Sequence, residues 1–380
     1  MTAPPQPAPS PLIELLAERI AAKGPITFAE YMETALYHPQ FGYYSKPGTA
    51  MRHDYFTNVD VSSIFGRLLA RQLHQMWLAL GRPKPFQLIE AGAGSGALAK
   101  SILDFVAAQF PEFYDSLRYI AVERSESRRA AQNQLLAKYS AGGKFETAAD
   151  LPAQIESGVI LSNEFFDALP VHRVIGTNTG LQELYVGHGA NGFFEQSGPL
   201  SSPALGIYFE RHGIALLPDQ QAEVNLKACA WIREAGKRLT QGFVLTIDYG
   251  FEAAELFSDR HMRGTLLAYD RHRASERYFR APGDQDITAH VDFTAIDRAG
   301  QRGGLSRTGN TTQANFLLAL ARESNLTDLE SRGQSELESA KSRNAFKTLI
   351  HPEGMGETFK VLIQHKGIQE TPALTGLSPL

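Results

Sequence analysis

An α/β fold built on a mostly parallel sheet is predicted for this 380-residue chain by three observations. Short apolar runs alternate with helix-length amphipathic stretches from residue 86 onward. Several of these runs end in glycines or acids, where an open parallel sheet presents its ligand-binding groups. No apolar stretch approaches the ~18 residues that a membrane span requires. Strands alternating with helices imply right-handed βαβ units.

The first 82 residues stand apart from that pattern. Residues 1–11 are proline-rich, with neither the basic start and apolar run of a secretory signal nor an Arg-rich amphipathic presequence, so they read as a short disordered lead to a cytoplasmic protein. Leu12, Leu16 and Ile20 recur at helical spacing until Gly24 stops them. Thr27 with Glu30 three residues on is a capping box opening a second helix. An aromatic loop from Tyr37 to Tyr44 and a helix over about 62–80 complete a helical region, 12–82, in which no strand is expected.

The alternation then begins. Strands are expected over 86–91, 117–122, 159–162 and 243–248, and helices over 97–110 and 125–139. The stretch 171–214 carries turn dipeptides and alternating apolar residues, which read as inserted hairpins. Insertions are placed at about 171–218 and 251–350 of a domain spanning 83–370, with 357–365 as a last edge strand.

Composition removes several function classes. Lys plus Arg number 37 against 41 Asp plus Glu, a net charge of −4, the wrong sign for wrapping phosphate backbones. Nucleic acid and membrane insertion are therefore not expected. Cys229 is the one cysteine, so neither a disulfide nor a cysteine metal site can form within the chain, and a reducing compartment fits. His290 and Asp292 lack a third clustered ligand and read as structural, so no metal is expected. The basic run Arg271-His272-Arg273 reads as a solvated or partner-facing loop.

The chemistry concentrates at strand ends. Glu90-Ala91-Gly92-Ala93-Gly94-Ser95-Gly96 closes a strand and opens a helix, where glycines let the backbone approach a ligand and the helix start offers free N–H groups. The same letters satisfy the dinucleotide fingerprint, so the glycines alone do not choose a cofactor. Glu90 favours S-adenosylmethionine, since a carboxylate there receives an ammonium but would repel a pyrophosphate. Glu123, ending the next strand, can accept both ribose hydroxyls, a role that NAD sites share.

Asn163-Glu164-Phe165-Phe166-Asp167-Ala168-Leu169-Pro170 comes after the next strand and sets two carboxylates beside two rings, a pocket suited to a cation. Either acid taken alone is equally well a helix cap or a solvated side chain. Asn163 can bind cofactor or substrate. Asp248, before Gly250 at the end of another strand, either lines the same face or is a turn acid. No phosphate loop of the Gly-Lys-Ser/Thr kind, nucleophile elbow or His-Glu-x-x-His motif is present.

These motifs resemble those of the MidA family of S-adenosylmethionine-dependent methyltransferases, whose mitochondrial branch is a complex I assembly factor that methylates an arginine of a protein subunit. The resemblance runs from Ile26 to His365, through Tyr31-Met32, Gly42-Tyr43-Tyr44, Asp54-Tyr55-Phe56-Thr57, Glu90 to Gly96, Asn163 to Val171, Ile247-Asp248-Tyr249-Gly250, Asp286 to Phe293 and Phe359-Lys360-Val361-Leu362. The Asn163 to Val171 run is the most specific. It implies a Rossmann-like class I methyltransferase fold with a mostly parallel seven-stranded sheet, a helical N-terminal region over the cofactor site, and inserted β-hairpins.

The resemblance further implies S-adenosyl-L-methionine as cofactor, S-adenosyl-L-homocysteine as product and a protein arginine as acceptor. Thr57, Glu90, Gly92, Gly94, Gly96, Glu123 and Asn163 are the expected cofactor-binding residues, and Glu164, Asp167 and Asp248 the expected catalytic ones. Thr57-Asn58-Val59-Asp60 departs from the family's Thr-Ser/Ala-Pro-Glu and leaves room for a non-catalytic, cofactor-binding assembly protein. A dinucleotide-dependent oxidoreductase is the remaining alternative, and Glu90 argues against it. The helical N-terminal region and the hairpins each offer a surface for a homodimer.

Overall fold

The computed structural model describes residues 10–46, 63–270, 273–322 and 336–379. Two compact units arise from interleaved segments. One takes residues 1–55, 168–227 and 253–290, the other 56–167, 228–252 and 291–380.

The second unit holds the parallel sheet. Its strands are β1 (Phe86–Ala91), β2 (Leu117–Val122), β3 (Phe145–Ala148), β4 (Ile155–Asn163), β5 (Leu239–Phe251), β6 (Ser306–Thr312) and β7 (Phe359–Lys366). They lie in the order β6-β7-β5-β4-β1-β2-β3, with Val291–Asp292 added parallel to the end of β5. Leu88, Ile89, Val159, Ile160, Leu161, Val244, Leu245 and Ile247 are buried, as strands covered on both faces must be. The β2 bounds are those the sequence predicts.

The last strand departs from expectation. β7 runs antiparallel between β5 and β6 and is an interior strand; β6 is the edge. β6 reads Ser-Arg-Thr-Gly-Asn-Thr-Thr, with no apolar alternation to reveal it, because an edge strand need not bury both faces. Helix Ser63–Ala79 belongs to this unit too: Ser101 Oγ donates to the Ser63 carbonyl at 2.9 Å. A Cβ on Gly66 would stand 2.4 Å from that Oγ, so only glycine allows the two helices to meet there.

The first unit is built around antiparallel strands. Ile26–Thr27, Gly180–Gly189, His172–Thr177 and Gln221–Val224 pair in that order, with Gly192–Gly198 on the other side of Gly180–Gly189. The expected hairpins are these strands. The pairing of Ile26 and Thr27 with Val186 and Tyr185 puts a short strand where none was expected, its two residues being too few for a periodic signal. A smaller sheet joins Arg273–Ser275, Leu267–Asp270 and Asp286–Thr288.

Helix Pro11–Lys23 ends at Gly24, whose φ of 83° suits glycine. Helix Phe28–Tyr37 begins at the predicted capping box, Thr27 Oγ1 accepting from Glu30 N at 3.2 Å and Glu30 Oε2 from Thr27 N at 3.1 Å. Both helices contribute to a core containing Leu16, Phe28, Tyr31, Met32, Val186 and Ile287. Arg173 is buried in the same unit and neutralised by Glu195 and Glu223, with Tyr278 and Gln221 accepting further hydrogen bonds. Among the described residues no helix is long and apolar enough to cross a membrane.

Candidate functional site

The candidate site lies at the C-terminal ends of β1, β2, β4 and β5, within the second unit. Chain direction alone brings these ends together, since β1, β2, β4 and β5 are mutually parallel. Ala91 stands beside both Val122 and Ser162, and Asn163 beside Ile247.

After β1 the chain turns through Gly92, Gly94 and Gly96, at φ 70°, 52° and 79°. All three are left-handed, which an L side chain resists. Gly96 opens helix Ala97–Gln109. The turn is tied from two sides: Gln132 Nε2 donates to the Gly94 carbonyl at 2.8 Å, and Gly94 N donates to Glu123 Oε2 at 3.2 Å. Glu123 also accepts from Ser125 N at 2.9 Å, which fixes its carboxylate at the end of β2.

Glu90 is only 4% exposed. Tyr119, two residues before Glu90's cross-strand partner Ala121 and so on the same face, donates its hydroxyl to Glu90 Oε2 at 2.6 Å. Burial, reinforced by Glu123 and opposed by this hydrogen bond, pushes the Glu90 carboxyl up to about 8. Burial and the adjacent Glu90 raise Tyr119 well above the usual phenol range, so it remains a donor. A carboxyl held this way gains most from a cation, and beside a glycine turn and a strand-end acid it fits the ammonium of an amino-acid-bearing nucleoside.

Beyond β4, Asn163 Nδ2 donates to Glu164 Oε1 at 3.1 Å. Glu164 has a φ of 50°, a left-handed backbone for a non-glycine residue, and its N–H is held by the Ile247 carbonyl at 3.0 Å. Asp248, fully buried, orders the chain just after Glu164: Oδ2 accepts from Phe165 N at 3.1 Å and Phe166 N at 2.9 Å, and Oδ1 from Tyr249 N at 3.0 Å. Burial and the neighbouring Asp167 hold its carboxyl well above the usual range, against those hydrogen bonds. Asp167 is itself buried.

The rings close the site. Phe165 and Phe166 pack on Trp231 with centroids 4.9 and 5.4 Å away. Phe165 also covers the glycine turn, its Cδ2 lying 2.8 Å from where a Cβ on Gly92 would be.

Glu90, Gly92, Gly94, Gly96, Glu123, Asn163, Glu164, Asp167 and Asp248 thus all stand on strand ends of one unit. Thr57 and the segment around it, like Arg271 and His272, lie outside the described residues. His290, half-buried, is pushed down to about 4 mainly by desolvation, and Asp292 caps helix Phe293–Arg302 by accepting from Ala295 N at 2.9 Å. Among the described residues no group of His, Cys, Asp or Glu could hold a metal ion.

Sequence reading missed Tyr119, Gln132 and Trp231. Tyr119 had a signal, since it precedes Glu123 by four residues in a strand and so shares its face. Its pairing with Glu90 depends on the register between strands, which one sequence does not display.

Known proteins resemble this chain in sequence and in fold. The family model described as "Putative S-adenosyl-L-methionine-dependent methyltransferase" matches residues 68–311. The chain is 28% identical over 397 residues to the human mitochondrial protein arginine methyltransferase NDUFAF7, covering 95% of this chain and 85% of that protein. It is 27% identical over 387 residues to the Drosophila melanogaster homolog, covering 94% and 85%. A Burkholderia thailandensis protein crystallised with bound S-adenosyl-homocysteine is 32% identical, with a TM-score of 0.85 and coverage of 99% and 98%.

Proposed function

The chain belongs to this family of S-adenosyl-L-methionine-dependent methyltransferases, and from that premise we propose that it methylates an arginine nitrogen of a protein substrate. The bound cofactor supplies a methyl group made electrophilic by its sulfonium. Glu90 holds the ammonium of the methionine moiety, Glu123 the ribose hydroxyls, and Asn163 and the glycine turn the remaining polar edge. Membership of a family that uses S-adenosyl-L-methionine sets the oxidoreductase reading aside.

The observation that carries the acceptor is the group of carboxyls, Glu164, Asp167 and Asp248, at the ends of β4 and β5 beside aromatic rings. A guanidinium stays protonated at ordinary pH, so a site for it needs acids that bind by paired hydrogen bonds and steer charge toward one nitrogen. Transfer makes an N–C bond, breaks the S–C bond and releases one proton, for which Glu164 is the acceptor. Asp248 spends its oxygens on backbone N–H groups and so acts as a positioning residue, holding the segment that bears Glu164. Precise placement of the nitrogen against the methyl supplies most of the acceleration. The protein arginine methyltransferases among the relatives, at 27 to 28% identity, point the same way.

The test is transfer of labelled methyl from S-adenosyl-L-methionine to proteins of a cell extract, with methylated residues located by mass spectrometry. Methylarginine formed by the wild type, and lost in Glu164→Gln with cofactor affinity unchanged, is expected. Label on lysine or on a small molecule would overturn the acceptor assignment.

A further inference from the structure

The first unit contains a cleft of about 470 Å³ that the methyl-transfer chemistry leaves unused. Phe193, Tyr278 and Phe279 form its apolar lining, with Ile13 beside them and the Asn191-Gly192 turn at one side. These rings are fixed from behind. Phe279 meets Tyr31 edge-on at 5.1 Å, Phe193 packs on Tyr31 at 5.7 Å, and Tyr278 accepts a hydrogen bond from buried Arg173 at 2.6 Å. The floor is therefore preorganised, which lowers the ordering cost of binding.

Charge selects the ligand that such a floor receives. Glu276, the one acid of the lining, is paired with Arg263 at 3.0 Å. Arg277 and Arg280 stand exposed on one turn, joined by the Arg280 N–H to Arg277 carbonyl bond at 3.1 Å. Neither guanidinium makes a hydrogen bond or ion pair with another described residue. Two unpaired guanidinium groups that line the same cleft as aromatic rings suit carboxylates that flank an apolar side chain.

We propose that this cleft docks an acidic stretch of the protein substrate, Arg277 and Arg280 receiving its carboxylates and Phe193 and Phe279 its apolar side chain. The proposal rests on the reading that the substrate is a protein. It assigns to the inserted segments the choice of substrate, apart from the chemistry at the strand ends. The net charge of −4 favours an acidic peptide over nucleic acid as the occupant, since it lowers attraction for a long polyanion but leaves a local arginine pair effective.

The experiment is fluorescence anisotropy on the full chain with a short labelled peptide of glutamates around a phenylalanine, a lysine-for-glutamate version, and a single-stranded oligonucleotide. The acidic peptide should bind, weaken with added salt, and lose roughly tenfold or more in affinity in the double variant Arg277→Glu, Arg280→Glu. S-adenosyl-L-methionine titration of that variant should match wild type, which shows it is folded. Absence of acidic-peptide binding, equal binding by the variant, or tighter binding of the oligonucleotide would overturn the proposal. Methyl transfer is read separately, so an enzyme that docks the peptide but labels no protein counts against the arginine reading and leaves the cleft supported.

Discussion

Tyr119 donates its phenolic hydrogen to Glu90 at 2.6 Å in a place almost closed to water, so a neutral donor faces a carboxyl that a bound cation would ionise. Glu90 carries its proton up to about pH 8 when folded, against 4.5 for the free side chain. An acid raised on folding adds stability below its unfolded value, and that stability is lost as pH rises through the folded value. Without cofactor the protein should lose stability between these limits, on the order of 5 kcal/mol from this group alone. Glu90→Gln should flatten the slope, melt higher than wild type above pH 8, and bind S-adenosyl-L-methionine poorly. Parallel melting curves for the two proteins across this range would refute the assignment.

Glu164 holds a left-handed backbone at φ 50°, which costs a non-glycine residue about 1 kcal/mol or more. Glu164→Gly should raise the denaturation midpoint by about that amount while abolishing methyl transfer. A lowered midpoint would mean that the side chain, rather than the catalytic requirement, justifies the strain.

Asp248 presents both oxygens to N–H donors, and an asparagine there would turn an NH₂ toward one of them. Asp248→Asn should cost roughly 1–3 kcal/mol in stability and lower kcat by loosening the segment that carries Glu164. Cofactor affinity should change little. Urea unfolding and steady-state kinetics together check this, and a large loss of cofactor affinity with kcat preserved would contradict it.

At Gly96, φ 79° combines with a neighbour, because a Cβ would lie 3.1 Å from Gln132 Cγ. Gln132 is also the donor to the Gly94 carbonyl. Gly96→Ala should therefore displace Gln132, destabilise the protein by about 1–2 kcal/mol, and weaken cofactor binding, as calorimetric titration would show. Unchanged affinity would remove the turn from the cofactor site.

Elements with a strong local signature were readable from the sequence, and those defined by distant partners were not. The Thr27 and Glu30 capping box, the strand from Leu117 to Val122 and the glycine turn each depend on residues a few positions apart. The acids at the strand ends were readable for the same reason, since a parallel sheet gathers its C-terminal ends whatever its exact register. Tyr119 beneath Glu90 and Trp231 against Phe165 are pairings across 29 and 66 positions, set by strand register and helix placement. β6 escaped because polar residues suffice at a sheet edge, and β7 looked like an edge because its place is set by topology, not by its composition.

The placement of β7 also dictates an order of events during synthesis. A ribosome delivers the chain from its N-terminus, yet the strand that joins β5 to β6 ends at Lys366 of 380 residues. Until then β5 has an open side from Gly242 to Tyr249, with unsatisfied N–H and C=O groups, and β6 has no neighbour in the sheet. The sheet is thus completed only after Phe359–Lys366 has been made, and a chain halted before Phe359 would carry an adhesive edge in place of its middle.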